Sequence, residues 1–147
     1  MSTCERKYRN KFRSENITIF NDVINLKYNE GLNNYPYKNQ YPWHLKIIIE
    51  TRFLFSNARN IEQEEILQNE INKSLSEVIG KYCKIKQVVE LEKQCLKELH
   101  WFMNSVEIDY LKVKEAIDSI KYKRFIWFYL TYDSKWDNIQ TYLNWRY

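Results

Sequence analysis

Glycine is nearly missing from this chain: Gly31 and Gly80 are the whole supply among 147 residues. Nucleotide-binding loops cradle phosphate on backbone amides and need several glycines within one turn. Two glycines 49 positions apart exclude them. Proline and alanine are equally scarce, at two each. So few tight-turn residues argue against a many-stranded β fold and for helices. A second cause acts in the same direction. Gly, Pro and Ala have GC-rich codons, whereas the abundant Asn, Lys, Ile and Tyr have AT-rich ones, which points to a virus, mobile element, low-GC bacterium or protist. The three cysteines, Cys4, Cys83 and Cys95, are odd in number and lack framework spacing. That favours a reducing, cytoplasmic or host-intracellular setting. No apolar run approaches the roughly 18 residues of a membrane span. Asn21, Asp22 and Asn25 interrupt the stretch after the basic start, against a secretory signal, and Glu5 and Glu15 count against a transit peptide.

Catalytic and metal motifs are also missing. The histidines are His44 and His100. On a helix, Cys83 and Cys95 would lie about 120° apart around the axis, which does not converge on a metal. They read as buried structural thiols. His100 has no Arg among the four residues before it, unlike helical ribonucleases of the toxin type, and neither G-x-S-x-G nor H-E-x-x-H occurs. His100 therefore reads as a satisfied histidine, and no catalytic residue, cofactor or metal is expected.

What is present begins with charge at one end. Residues 1–13 carry Arg6, Lys7, Arg9, Lys11 and Arg13 against Glu5, a net +4, while the remaining residues hold 18 basic and 18 acidic groups. Tyr8 and Phe12 are interleaved with the cations. Such an arm can hook nucleic acid, an acidic protein or a membrane surface, or can simply be a solvated terminus. Five charges neutralise roughly three to five phosphates, fewer than the six to ten of strong salt-dependent binders. A second basic cluster, Lys121, Lys123 and Arg124, could assist. The arm's rings could stack on unpaired bases.

The rest reads as one domain, 14–147, built of helices. Ser2 and Glu5 form a capping box for a short arm helix. Ile17, Phe20, Ile24 and Tyr28 give a stripe for a helix over 15–30, with Gly31 as its left-handed stop. Residues 31–42 are a loop. Over 43–58, helical spacing and strand alternation fit equally, and helix is preferred because a lone strand has no partner. Leu67, Ile71, Leu75, Val78 and Ile79 mark a helix from Asn60. Ile85, Val88, Cys95, Leu99 and Phe102 mark another over 81–103. With Gly80 as the turn of a helix-turn-helix, Lys81, Lys84 and Lys86 could face phosphates, but the flanking helices are too long for that motif and Val88 and Val89 read as core. Further helices run over 106–121 and after a Ser134 cap, with 124–132 apolar on all sides.

With 12 Tyr, 7 Phe and 5 Trp, a small core built from rings is strong. The expected architecture is all-α: a single-domain bundle of five or six helices with an aromatic-rich core, the minor alternative being α+β with a strand near 45–55. The aromatic C-terminal region is either core or an interface carried by Trp127, Tyr129, Trp136 and Trp145, as in a helical homodimer. The expected function is non-enzymatic: stoichiometric binding to a protein or ribonucleoprotein partner, in the manner of a virus- or mobile-element-encoded inhibitor. The alternative is an accessory protein that binds DNA or RNA through the basic-aromatic arm.

Overall fold

The structure, a computed structural model, describes residues 8–32, 34–53, 58–105, 110–119 and 124–143. They form a six-stranded antiparallel sheet with three helices. The strands are β1 (Phe12–Ile19), β2 (Asp22–Asn29), β3 (Trp43–Glu50), β4 (Ile85–Lys93), β5 (Leu96–Met103) and β6 (Ile126–Tyr132). The helices are α1 (Ala58–Gly80), α2 (Tyr110–Asp118) and α3 (Gln140–Leu143). The strand order is β1-β2-β4-β5-β3-β6, so β3 inserts between β5 and β6, which leaves β1 and β6 at the edges. Among the described residues no helix is long and apolar enough to cross a membrane.

This overturns the all-α bundle. The helix expected over 15–30 is the β1–β2 hairpin, turned at Phe20 and Asn21, both at positive φ (50° and 69°). Asparagine tolerates the left-handed region, so the turn forms without glycine. The helix expected over 81–103 is the β4–β5 hairpin, turned at Gln94 and Cys95 with a bulge between Gln87 and Val89. β3 uses the alternation present in its sequence, its partners supplied by chain 46 or more residues away. The apolar run at 124–132 is β6. The expected boundary between arm and body falls inside β1, and the capping box lies outside the described residues. Helices do form where α1, α2 and the last helix were expected, although Asp133 rather than Ser134 caps the 3-10 turn Asp137–Ile139 before α3. Its Oδ1 and Oδ2 accept the amides of Asp137 and Asn138, each at 2.9 Å.

The central strands β3, β4 and β5 are covered on both faces, which is why they do not read as strands. On one face Leu45, Ile47 and Ile49 of β3 and Leu99, Trp101 and Met103 of β5 meet Ile71, Leu75 and Ile79 of α1 and Val113 and Ile117 of α2. On the other, Ile24, Leu26, Val89, Leu91 and Phe102 are covered by Leu32, Tyr35 and Tyr41 from the 30–42 connection and by Trp136 and Ile139. Two-sided burial makes successive residues apolar rather than alternating. Trp136 pins the second face. It is fully buried, stacks on Phe102 and Tyr35 with centroids at 4.6 and 5.6 Å, and donates Nε1–H to the Tyr41 carbonyl at 2.9 Å.

Candidate functional site

β6 is the one edge whose composition invites a partner. Its register on β3 is fixed by amide hydrogen bonds from Glu50 to the Phe125 carbonyl and from Asp133 to the Pro42 carbonyl. Antiparallel pairs alternate between bonded and non-bonded, so the odd-numbered residues from 125 to 133 bond inward. Ile126, Phe128, Leu130 and Tyr132 therefore turn their N–H and C=O groups away from β3, and no described strand pairs with them. The seven residues carry no charge and no proline. The usual protections of an edge, lysine, proline or a bulge, are absent from it. Rings stand along both faces: Phe125, Tyr129 and Tyr132 are 65%, 55% and 65% exposed. Trp43 meets Tyr132 edge-on at 5.2 Å, Tyr110 meets Phe128 at 5.0 Å, and the Lys46 ammonium lies 5.9 Å from the Tyr129 ring.

The sequence-derived site residues divide sharply. Trp127 and Tyr129 lie on this edge, Trp127 half-buried against Phe125. Trp136 is core and offers no surface to a partner; Trp145 lies outside the described residues, as do Arg6, Lys7, Lys121 and Lys123. Arg124 is engaged inside the protein, its Nε and Nη2 lying 2.5–3.0 Å from the carboxylate of the buried Glu64. The described part of the arm is laid down on the body. Lys11 and Arg13 both pair with Glu30, at 3.7 and 2.6 Å. Phe12 lies beneath the Lys27 ammonium, and Tyr8 meets Tyr35 and Tyr37 edge-on. Arg9 is exposed. Gly31 is not a left-handed stop, since no described glycine has positive φ. It is needed for closeness instead: a Cβ there would run into the carbonyl oxygen of Arg9.

No local pattern signals that the two histidines meet. His44 on β3 and His100 on β5 stack with centroids 5.2 Å apart, with His44 Nε2 3.0 Å from His100 Nδ1. His100 Nε2 is 3.2 Å from Glu98 Oε2, and Asn138 Nδ2 is 3.1 Å from His44 Nδ1. One arrangement satisfies every atom: Asn138 donates to His44, Nε2–H of His44 donates to His100, and Nε2–H of His100 donates to an ionised Glu98. Both rings are then neutral. Burial lowers His44 to about 4, helped by the neighbouring His100. Burial also lowers His100, outweighing the hydrogen bond to Glu98. Burial opposes ionisation of Glu98, but the His100 hydrogen bond and the ammonium groups of Lys46 and Lys93 hold it below the ordinary carboxylate value. Tyr142 covers His100 at 5.7 Å and is itself raised by burial. These hydrogen bonds join β3, β5 and the 133–143 segment. Among the described residues no group of three His, Cys, Asp or Glu side chains could hold a metal ion.

Comparison of this chain with protein-family models, with curated proteins and with solved structures finds no match.

Proposed function

We propose that this chain is a non-enzymatic interaction protein that binds an extended segment of a protein or ribonucleoprotein partner along β6, stoichiometrically. The observation that carries this reading is the uncharged aromatic edge with one side of its backbone unpaired among the described residues. An added strand would satisfy Ile126, Phe128, Leu130 and Tyr132, while pockets between the rings would read alternate side chains. Tyr and Trp concentrate binding energy in such surfaces. The absence of disulfides at Cys83 and Cys95 suits a reducing compartment.

Affinity capture from the source cells tests the proposal. Tyr129→Lys places a charge on the edge, and Leu130→Pro removes an outward N–H without touching the β3 ladder. Both variants should lose a partner that the parent retains, while circular dichroism stays unchanged. In the complex, the amides of 126, 128, 130 and 132 should gain protection from exchange. A partner held equally by both variants would refute the edge as its site.

A second copy of the chain is also a geometric match. Pairing centred on Tyr129 sets Phe128 against Leu130 and Ile126 against Tyr132, with no like charges opposed. Light scattering on the parent and on Tyr129→Lys separates the two occupants: a dimer that the substitution dissolves assigns the edge to self-association.

A further inference from the structure

A second surface, away from β6, carries chemistry of another kind. Beside the end of α1 an open cleft of about 550 Å³ is lined by Tyr41, Ser76, Gly80, Lys84, Lys86 and Gln87, among others. Among the described residues its lining holds two cations and no anion. The floor at Gly80 is open, with nothing among the described residues within 4 Å of where a Cβ would stand. Lys86 is not loose: its ammonium rests 5.6 Å from the Tyr35 ring and 5.1 Å from the Tyr41 ring. Ring faces attract a cation without neutralising it. Neither Lys84 nor Lys86 has a carboxylate partner among the described residues.

The positive surface continues beyond the cleft through contacts already fixed by the core. Tyr35 meets Tyr8 and Tyr37, at 5.3 and 5.6 Å, and stacks on Trp136. Lys38 lies 6.0 Å from the Trp136 ring. Lys38 and Lys86 lie on these rings, Lys84 lines the cleft, and the exposed Arg9 and Lys81 follow Tyr8 and Gly80 in the chain; none of the five has a carboxylate partner among the described residues, while Lys11 and Arg13 are occupied by Glu30. Half-buried Tyr8 and Tyr37 and the 40% exposed Tyr82 are interleaved with them.

We infer that this track binds the phosphates of single-stranded nucleic acid, with the cleft at Lys84 and Lys86 as its anchor. Unpaired lysines in a concave lining without acids select a polyanion. Interleaved rings favour one whose units can stack. A duplex is disfavoured because it is a stiff rod whose phosphates run in two rails, whereas the cations of the cleft, Lys84 and Lys86, share one concave lining. The basic end of the chain therefore acts as part of a surface built mainly by residues far from it in sequence.

Fluorescence anisotropy with a labelled oligonucleotide of about a dozen bases, against a duplex of the same length, tests the inference. Five contacts to a single strand should give a slope of log affinity against log salt of about −3.5. Lys84→Glu/Lys86→Glu should weaken binding by about tenfold or more and flatten the slope by about 1.4. Lys84→Gln/Lys86→Gln should fall between, and thermal melting confirms that each variant is folded. Tyr129→Lys should leave binding unchanged, which separates this site from the β6 edge. No binding at about 50 mM salt, or binding that ignores both double substitutions, would overturn the inference. Tighter binding of the duplex would overturn the single-strand preference, and equal displacement by polyglutamate would reassign the track to an acidic protein.

Discussion

Two buried polar constellations decide what single residues do in this protein. The first is Glu64 with Arg124. Both oxygens of Glu64 are matched by one guanidinium, and its side chain is 2% exposed. Removing Arg124 would strand a buried carboxylate, so Arg124→Ala should cost about 3–5 kcal/mol. Glu64→Gln/Arg124→Leu, which leaves no uncompensated charge, should recover most of it. Urea denaturation checks both, and an Arg124→Ala loss below about 1 kcal/mol would show that the pair is solvated. The second is the histidine chain, and its sign can be worked out. Unfolded His44 takes a proton near its ordinary value of 6.5; folded His44 does so only near 4. Between those values the unfolded chain binds more protons, so stability falls as pH drops from 6.5 towards 4. The loss is about 3 kcal/mol in all. His100 is shifted in the same direction and adds to the loss. Glu98, held low, contributes stability that is present above its unfolded value and is lost as pH falls through its folded one. Urea midpoints measured from about pH 7 down to about pH 4 should decline, and His44→Gln should flatten the upper part of that decline. A profile that is flat in the parent would mean that the rings are not buried neutral.

At the scale of elements, β6 makes a directional claim that proline can read. Leu130 sends its N–H outward, and Thr131 sends its own to β3. Leu130→Pro should cost no more than about 1.5 kcal/mol of packing. Thr131→Pro replaces an exposed side chain yet removes a ladder bond, and should cost about 2–3 kcal/mol. If the order of the two is reversed, the assigned phase of the strand is wrong. The same strand shows what could be read in advance. Its rings were visible as an interface candidate, but an apolar run on all sides looks the same in a buried helix and in a strand with two apolar faces. α1 was legible because Leu67, Ile71, Leu75 and Ile79 lie on one stripe above polar residues. β5 was not, because Leu99, Trp101 and Met103 pack under α1 while His100 and Phe102 stack against His44 on the other face. That mixture imitates a heptad. The hairpin turns hid as well, since Phe20-Asn21 and Gln94-Cys95 do without glycine. The meeting of His44 with His100 depends on register between strands 56 residues apart, which no local pattern encodes.

For the whole molecule, the sheet is one wall shared by two cores, and its strands differ in how far they travel to join it. β1–β2 and β4–β5 are hairpins closed by two-residue turns. β3 must pair with β5 and β6, which come later by 53 and 83 residues at their starts. Closing such loops loses chain entropy before contacts repay it, so β3 should dock late. Ile47 of β3 and Leu91 of β4 are both fully buried. Ile47→Ala and Leu91→Ala should each cost about 2–5 kcal/mol at equilibrium. Their kinetics should differ. Leu91→Ala should slow refolding, because its hairpin is part of the transition state. Ile47→Ala should act almost wholly by speeding unfolding. Stopped-flow refolding and unfolding in urea separates the two. If Ile47→Ala slows refolding as much as Leu91→Ala does, the central strand is in place at the barrier, and the two cores form together rather than around a preformed pair of hairpins.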